Sequence, residues 1–552
     1  MSDVRTSRGG GQWAKGYSTP LNKAEQIKND DDGLNVRARI LDTYSKQGFR
    51  SIWPDDLRNR FRWWGLYTQR RPGISGGKTA VVEPYELEDE FFMLRIRIPG
   101  GRLTSEQLRT IGEISIRYGR DVADVTDRQN VQLHWIRIED VPKIWDAVEA
   151  VGLSTCEACG DTPRNMIGCP LAGVDRDEIL DATPLMMELH RRYVGDPHFS
   201  NLPRKYKTSI SGCAQQCAQH EINDISYVGT RDAEGRAGFD MWVGGGLGPN
   251  PKFAQRLGAF VLPERVPEVW EGMTSLFRDY GYRKARNYAR LKFLVADWGA
   301  ERVREVLEKE YLSEPLPDGE PPPPSTSTQR DHVGVFEQKD GRKYVGFAPR
   351  AGRISGHQLR YVSELAERYG GGRVAATTQQ KLVIQDVDDA NLDPLLTELE
   401  RIDLPAKPSA FRRSTMACTG IEFCKLAIVE TKQRADWLYR ELEERLPEMT
   451  EPIRINVNGC PNSCTRFQIA DIGLMGSLVT KPDGTKIDGF QVTLGGHLGE
   501  EHRFGRKVRG LKVPGYELAD YLERLLRRFM ATKAGDEPFH TWAVRAPDAW
   551  LK

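Results

Sequence analysis

The chain has 552 residues, too many for one core, so two to four domains are expected. Hydrophobic residues make up 39% and charged residues 28%, and 79 Lys+Arg against 78 Asp+Glu excludes the global basic field of a nucleic-acid binder. Nine cysteines, an odd and clustered set in a large chain, argue against a disulfide framework and for metal or redox chemistry.

From the amino terminus, residues 1–60 read as an arm, polar and Gly-rich to about residue 35 and expected to have little structure of its own there. The opening MSDVRTSRGGGQWAKG lacks a secretory apolar region, and no apolar run reaches membrane-spanning length. The expectation is a soluble, cytoplasmic protein that engages neither membrane nor nucleic acid. A half-domain follows over 61–140. In it FMLRIRIPG alternates as a strand and sets Arg95 and Arg97 on one face. GRLTSEQLRTIGEISIRYG then has helical spacing, TDRQN brings Arg128, and NVQLHWIRI is a second strand.

Residues 141–312 form the next domain. CEACGDTPRNMIGCP holds Cys156, Cys159, Cys169 and Arg164, and LPRKYKTSISG sets Lys205 and Lys207 two apart on a strand. GCAQQC adds Cys213 and Cys217, without a C-x5-C partner, and these read as core-packed relics. Four cation-bearing stretches among apolar strand residues favour a convergent anion pocket. Ser313–His332, with four consecutive prolines, reads as a stiff extended linker.

Beyond it the chain repeats itself. GRISGHQLRYVSELAERYG (Gly352–Gly370) matches Gly101–Gly119 at an offset of 251, which also pairs Thr126 with Thr377 and Gln129 with Gln380. Gly212-Cys213 pairs with Gly459-Cys460 and Asp224 with Asp471 at 247, and WVGGGLG returns near VTLGGHLG at 251. The fold class is therefore α+β, internally duplicated, with a second half-domain over 333–400 and a last domain over 401–552. The copies are unequal: Arg128 falls opposite the neutral Gln379.

In the last domain MACTGIEFCKLA supplies Cys418 and Cys424, and NGCPNSC supplies Cys460 and Cys464. By spacing alone these four thiols suit an iron–sulfur cluster, a zinc ion or a buried structural role. Gly459 lets backbone approach a bulky inorganic centre, and Pro461 suits a first helical turn.

ACTGIEFC with NGCPNSC resembles the cluster signature of the sirohaem-dependent sulfite and nitrite reductases, in which a 4Fe–4S cluster shares a cysteine thiolate with the sirohaem iron. The resemblance runs from about Phe61 to the carboxy terminus and is nearest to the ferredoxin-dependent, assimilatory sulfite reductases. It implies a pseudo-twofold chain of three α/β domains around sirohaem and the cluster. Cys464 would bridge to the haem, and Cys418, Cys424 and Cys460 would complete the cluster. Arg95, Arg164, Lys205 and Lys207 would hold the oxyanion and deliver protons, with Arg97 and Arg128 meeting sirohaem carboxylates. Family nitrite reductases have asparagine at the position of Lys207 and lack the Cys159-Gly160-Asp161 motif, so sulfite is expected and nitrite is the alternative. Tyr67 and Cys159 match positions that are joined by a thioether in some of these enzymes.

No G-x-G-x-x-G follows a strand here, so electrons are expected from a separate small acidic ferredoxin, with the chain a monomer. Arg503, Arg506, Lys507, Arg509 and Lys512 form the candidate docking patch. A non-enzymatic alternative makes the four cysteines a zinc module beside a basic nucleic-acid groove.

Overall fold

The structure, a computed structural model, describes residues 21–325 and 330–552. Four five-stranded sheets are built as two matched pairs. In the half-domains, Leu66–Arg70, Glu88–Ile96, Val131–Ile136 and Ala123–Val125 form one sheet, and Gly334–Glu337, Lys343–Phe347, Leu382–Val387 and Arg373–Ala376 form the other. Each takes its fifth strand from the opposite copy: Arg353–Ile354 joins the first sheet and Arg102–Thr104 the second. This exchange fuses the half-domains over one apolar core that runs from Val36 to Leu153 and from Val345 to Ala406.

The other pair has two parallel neighbours followed by two antiparallel ones. In the first copy the order is Ile167–Gly168, Thr208–Ser211, Ile225–Arg231, Ala237–Val243 and Gln255–Val261. In the second it is Thr415–Ala417, Ile455–Asn458, Ile472–Thr480, Lys486–Leu494 and Arg506–Pro514. Each sheet is packed over its own core. Among the described residues the three largest buried cores are those of the fused half-domains and of these two sheets.

Backbone strain repeats with the fold. Gln129 and Gln380 both have φ 59°, and Trp135 and Asp386 have 61° and 63°, at the 251 offset. Gln216 and Ser463 (51° and 56°) and Gln219 and Arg466 (55° and 60°) do so at 247. Left-handed backbone is costly for residues with a Cβ, so its recurrence at matched positions shows that loop geometry was duplicated with the strands.

The helices Ser105–Tyr118 and Gly356–Tyr369 begin with the same capping box, Thr104 with Gln107 and Ser355 with Gln358. Leu108, Ile111 and Ile114 on one, and Leu359, Val362 and Leu365 on the other, give the three-residue spacing of a buried stripe. The helices touch through glycine: a Cβ on Gly356 would lie 2.5 Å from the Gly112 carbonyl oxygen.

Two expectations need correction. Residues 1–20 lie outside the described residues, but the expected arm is helical from Lys23–Asp30 onward. Val36, Ile40 and Tyr44, four apart, enter the half-domain core, a signal hidden by the polar composition around them. The proline linker, expected as a stiff extended connector, is also tied to the body of the protein. The Pro323 carbonyl accepts from Gln216, and His332 is buried.

Candidate functional site

Thr415–Ala417 and Ile455–Asn458 lie parallel with Ala417 opposite Val457, so the loops that follow them leave the same edge of the sheet. Ligand sites form at such carboxyl ends. Cys418 begins one loop, its amide donating to the Val457 carbonyl at 3.1 Å, and Cys460 and Cys464 lie on the other. The Gly459 amide donates to the Cys418 sulfur at 3.2 Å. Gln380 clamps Ala417 at both amide and carbonyl, as Gln129 does for Gly168 in the first copy.

The Cys418–Ala427 loop is held from outside by the first copy. The Arg70 amide donates to the Phe423 carbonyl at 2.7 Å, His134 stacks on the Phe423 ring at 3.9 Å, and Lys425 pairs with Glu88 at 2.8 Å. Burial, then the neighbouring sulfurs, pushes the Cys418 thiol up to about 12, and Cys424 and Cys460 move the same way. Four thiolates in this place need a multivalent cation to offset their repulsion.

Among the described residues, one set of three or more Cys, His, Asp or Glu brings its donor atoms within 4.8 Å of one another, and it is Cys169, Cys213 and Cys217. No three of the four thiols of the last domain therefore bring their sulfurs within 4.8 Å of one another, whereas those of a tetrahedral zinc ion sit roughly 3.8 Å apart. That spread suits a cluster and weighs against the zinc module. The residues fit the expected group.

The cations converge from the other side. Arg95 donates to Gln132 at 2.9 Å and lies 5.5 Å over the Tyr67 ring. Gln132 in turn donates to Thr419 at 3.2 Å, linking this arginine to the cysteine loop. Arg128 is held by Asn223 at 3.0 Å and the Asn165 carbonyl at 2.6 Å, and Arg164 by the Gly160 carbonyl at 3.0 Å. Neither Lys205 nor Lys207 has a hydrogen-bond or ion-pair partner for its ammonium among the described residues. Burial first, then Arg290, Arg164 and Arg204, brings Lys205 down to about 7. Lys207 is lowered too, by burial, Arg128 and Lys205.

Cys464 joins the two groups. It is exposed, and its charge is felt by Cys418, Cys424 and Cys460 on one side and by Arg95 and Lys205 on the other.

Arg97 departs from expectation. It is 1% exposed, and its guanidinium donates to the carbonyls of Glu157, Pro163 and Arg164 at 2.9–3.1 Å. Its two terminal nitrogens hold the 157–164 loop while its Nε has no hydrogen-bond partner among the described residues, so these contacts shape the loop that presents Cys159 and Arg164. The Tyr67 hydroxyl lies close enough to Cys159 for each to shift the other's ionisation, yet it makes no well-formed hydrogen bond. Against the cost of burial, Arg164, Arg95 and Arg62 bring the Cys159 thiol down to about 7.

Several positioning residues were not foreseen. Asp224 accepts from the Lys207 amide at 2.9 Å and pairs with the buried Arg290 at 2.8 Å. Asp161 gathers Arg286, Arg204 and Lys28 at 2.8–3.4 Å, tying the amino-terminal helix to the pocket. In the second copy Asp471 repeats the role of Asp224, but Arg454 stands at the place of Lys207 and folds back onto Asp471 at 2.8 Å. Only the repeat could have flagged Asp224; nothing local marks Arg290 or Gln132.

A family model described as the nitrite and sulphite reductase 4Fe-4S domain matches residues 159–316 and 409–544. The nitrite/sulfite reductase ferredoxin-like half domain matches 85–151 and 336–402. The chain is 52% identical over 99% of both chains to a protein named sulfite reductase (ferredoxin) from Mycobacterium tuberculosis H37Rv. It is 36% identical, over 94% of its own length and 98% of the relative's, to ferredoxin–nitrite reductase from Leptolyngbya laminosa. Among solved structures it resembles the Mycobacterium tuberculosis NirA protein, with a TM-score of 0.95 and 51% identity over 97% of this chain and 98% of that one.

Proposed function

The chain belongs to the nitrite and sulphite reductase family, and on that premise we propose that it reduces sulfite to sulfide with six electrons from reduced ferredoxin. Its cofactors are sirohaem and a 4Fe–4S cluster, which when bound supply single electrons and the metal that takes the substrate. Cys418, Cys424, Cys460 and Cys464 hold the cluster. The observation that carries this reading is the hydrogen-bonded chain from Arg95 through Gln132 to Thr419, which ties the cation pocket of the first copy to the cysteine loop of the second.

Sulfite is a dianion that must lose three oxygens as water, so the pocket has to grip oxygen and return protons repeatedly. Arg95 and Arg164 stay charged and bind oxygens in a planar fork. Lys205, brought down to about 7 by burial and by neighbouring cations, gives up and regains a proton near neutral pH, and Lys207 is lowered in the same direction by burial, Arg128 and Lys205. Arg128 faces the same pocket and would meet a cofactor carboxylate. Full-length relatives named sulfite reductase at 51–52% identity, against 36% for those named nitrite reductase, favour sulfite. Steady-state rates with reduced ferredoxin test this: kcat/KM for sulfite should exceed that for nitrite, and the reverse order would assign the chain to nitrite.

We further propose that Tyr67 and Cys159 are joined by a thioether, supported by their proximity, close enough for each to act on the other's ionisation. A tryptic digest should give one cross-linked species two hydrogen masses lighter than the sum of its peptides. Separate unmodified peptides would refute the bond.

A further inference from the structure

Cys169, Cys213 and Cys217 take no part in the proposed reaction. All are buried, at 2%, 1% and 1% exposure, and their sulfurs lie within 4.8 Å of one another. We propose that they form a second metal site, for a single Zn2+ ion, in the amino-terminal copy.

The duplication supplies the first support. Ile167–Gly168 and Thr208–Ser211 are parallel neighbours, the counterparts of the two strands that present the cluster cysteines. At offsets of 249 and 247, Cys169 falls on Cys418, Cys213 on Cys460 and Cys217 on Cys464. The fourth cluster position, Cys424, falls on Asp175, so C-x5-C has become C-x5-D. The Asp175 carboxylate stands 3.8 Å from the Cys169 sulfur. Three thiols and a carboxylate therefore occupy the four places that hold the cluster in the other copy.

The second support is the spacing. Donors this close suit one ion and leave no room for a cube, and thiolates select thiophilic metals, of which Zn2+ takes four tetrahedral ligands in closed structural sites. Binding would release the thiol protons.

The third support is polarity. The three cysteines share a small buried cluster with Leu171, Ala172, Val174, Tyr344 and Val383, and two polar groups interrupt it. Here Asp175 is buried against them, and the buried imidazole of His332, beside Cys213, has an Nε2 with no hydrogen-bond partner. Neither donor lies within 4.8 Å of all three sulfurs, so a side-chain rotation of Asp175 or His332 would bring in the fourth ligand. A metal here would staple the 169–175 loop to the turn after Thr208–Ser211, the strand that begins directly after Lys207.

The test is a metal count on the purified holoenzyme by plasma mass spectrometry, which needs no turnover and so fails independently of the sulfite reading. About one zinc per chain beyond the iron is expected. Cys213→Ala and Cys169→Ala should lose it while iron content and the visible spectrum stay unchanged. Asp175→Asn, of the same shape, guards against misfolding and should lower zinc retention during dialysis against a chelator. Holoenzyme that holds no zinc and takes none from added Zn2+, or zinc that survives Cys213→Ala, overturns the proposal.

Discussion

Lys205 and Lys207 lie two apart on the segment that leads into the strand Thr208–Ser211, not on the strand expected from the sequence. Burial lowers both, helped by Arg290, with Arg164 and Arg204 acting on Lys205 and Arg128 on Lys207. A lysine brought down to about 7 holds its proton below that pH and loses it above, so kcat/KM should fall as pH rises through about 7. Sulfite itself titrates near neutrality, so the Lys205→Arg variant is the control. Its profile should lose that limb, and an unchanged profile would remove Lys205 from proton delivery. Lys205→Met should lower kcat by about 10²–10⁴-fold. Arg97 belongs to another class. Arg97→Met leaves three buried carbonyls without donors and should cost roughly 2–4 kcal/mol of stability, read as a lower melting temperature. The i, i+2 spacing makes Arg95, Arg97, Lys205 and Lys207 legible in the sequence. It cannot tell an arginine that faces a pocket from one that turns inward, because that depends on the 157–164 loop packed against Arg97.

At the scale of elements, the matched helices show how the copies meet. Their capping boxes and apolar stripes are plain in the sequence, and so is their kinship. Their contact is not, since it rests on Gly112 and Gly356 approaching backbone to backbone. Gly356→Ala places a Cβ 2.5 Å from the Gly112 carbonyl and should destabilise by about 1–3 kcal/mol. Gly77→Ala, whose added Cβ meets nothing closer than 3.9 Å, is the control and should leave the melting temperature almost unchanged. Equal melting temperatures for the two variants would mean that the helices do not meet through these glycines. The amino-terminal helix escaped the sequence reading for a related reason: it is stabilised by distant partners, Lys28 on the Leu202 carbonyl and Glu25 on Arg283.

Over the whole molecule, duplication made two equivalent frames and let them diverge. The second copy carries the four thiols; the first leaves the Lys207 ammonium without a partner among the described residues, while its counterpart Arg454 is tied to Asp471. The proposed reaction draws its electrons from a separate ferredoxin. On the outer strand Arg506–Pro514, Lys507, Arg509 and Lys512 are exposed, while Arg503 and Arg506 are engaged by Glu501 and Asp548. If an acidic ferredoxin docks there, Lys507→Glu with Arg509→Glu should raise its KM about tenfold at low salt, less at high salt, and leave the rate with a small viologen dye unchanged. An unaltered ferredoxin KM would move the docking site elsewhere. The account as a whole is tested most directly by the stoichiometry of sulfite reduction with reduced ferredoxin. It predicts one sulfide released for every six electrons consumed, lost in Cys464→Ala. Ferredoxin oxidation without sulfide, or full sulfide yield from Cys464→Ala, would contradict it.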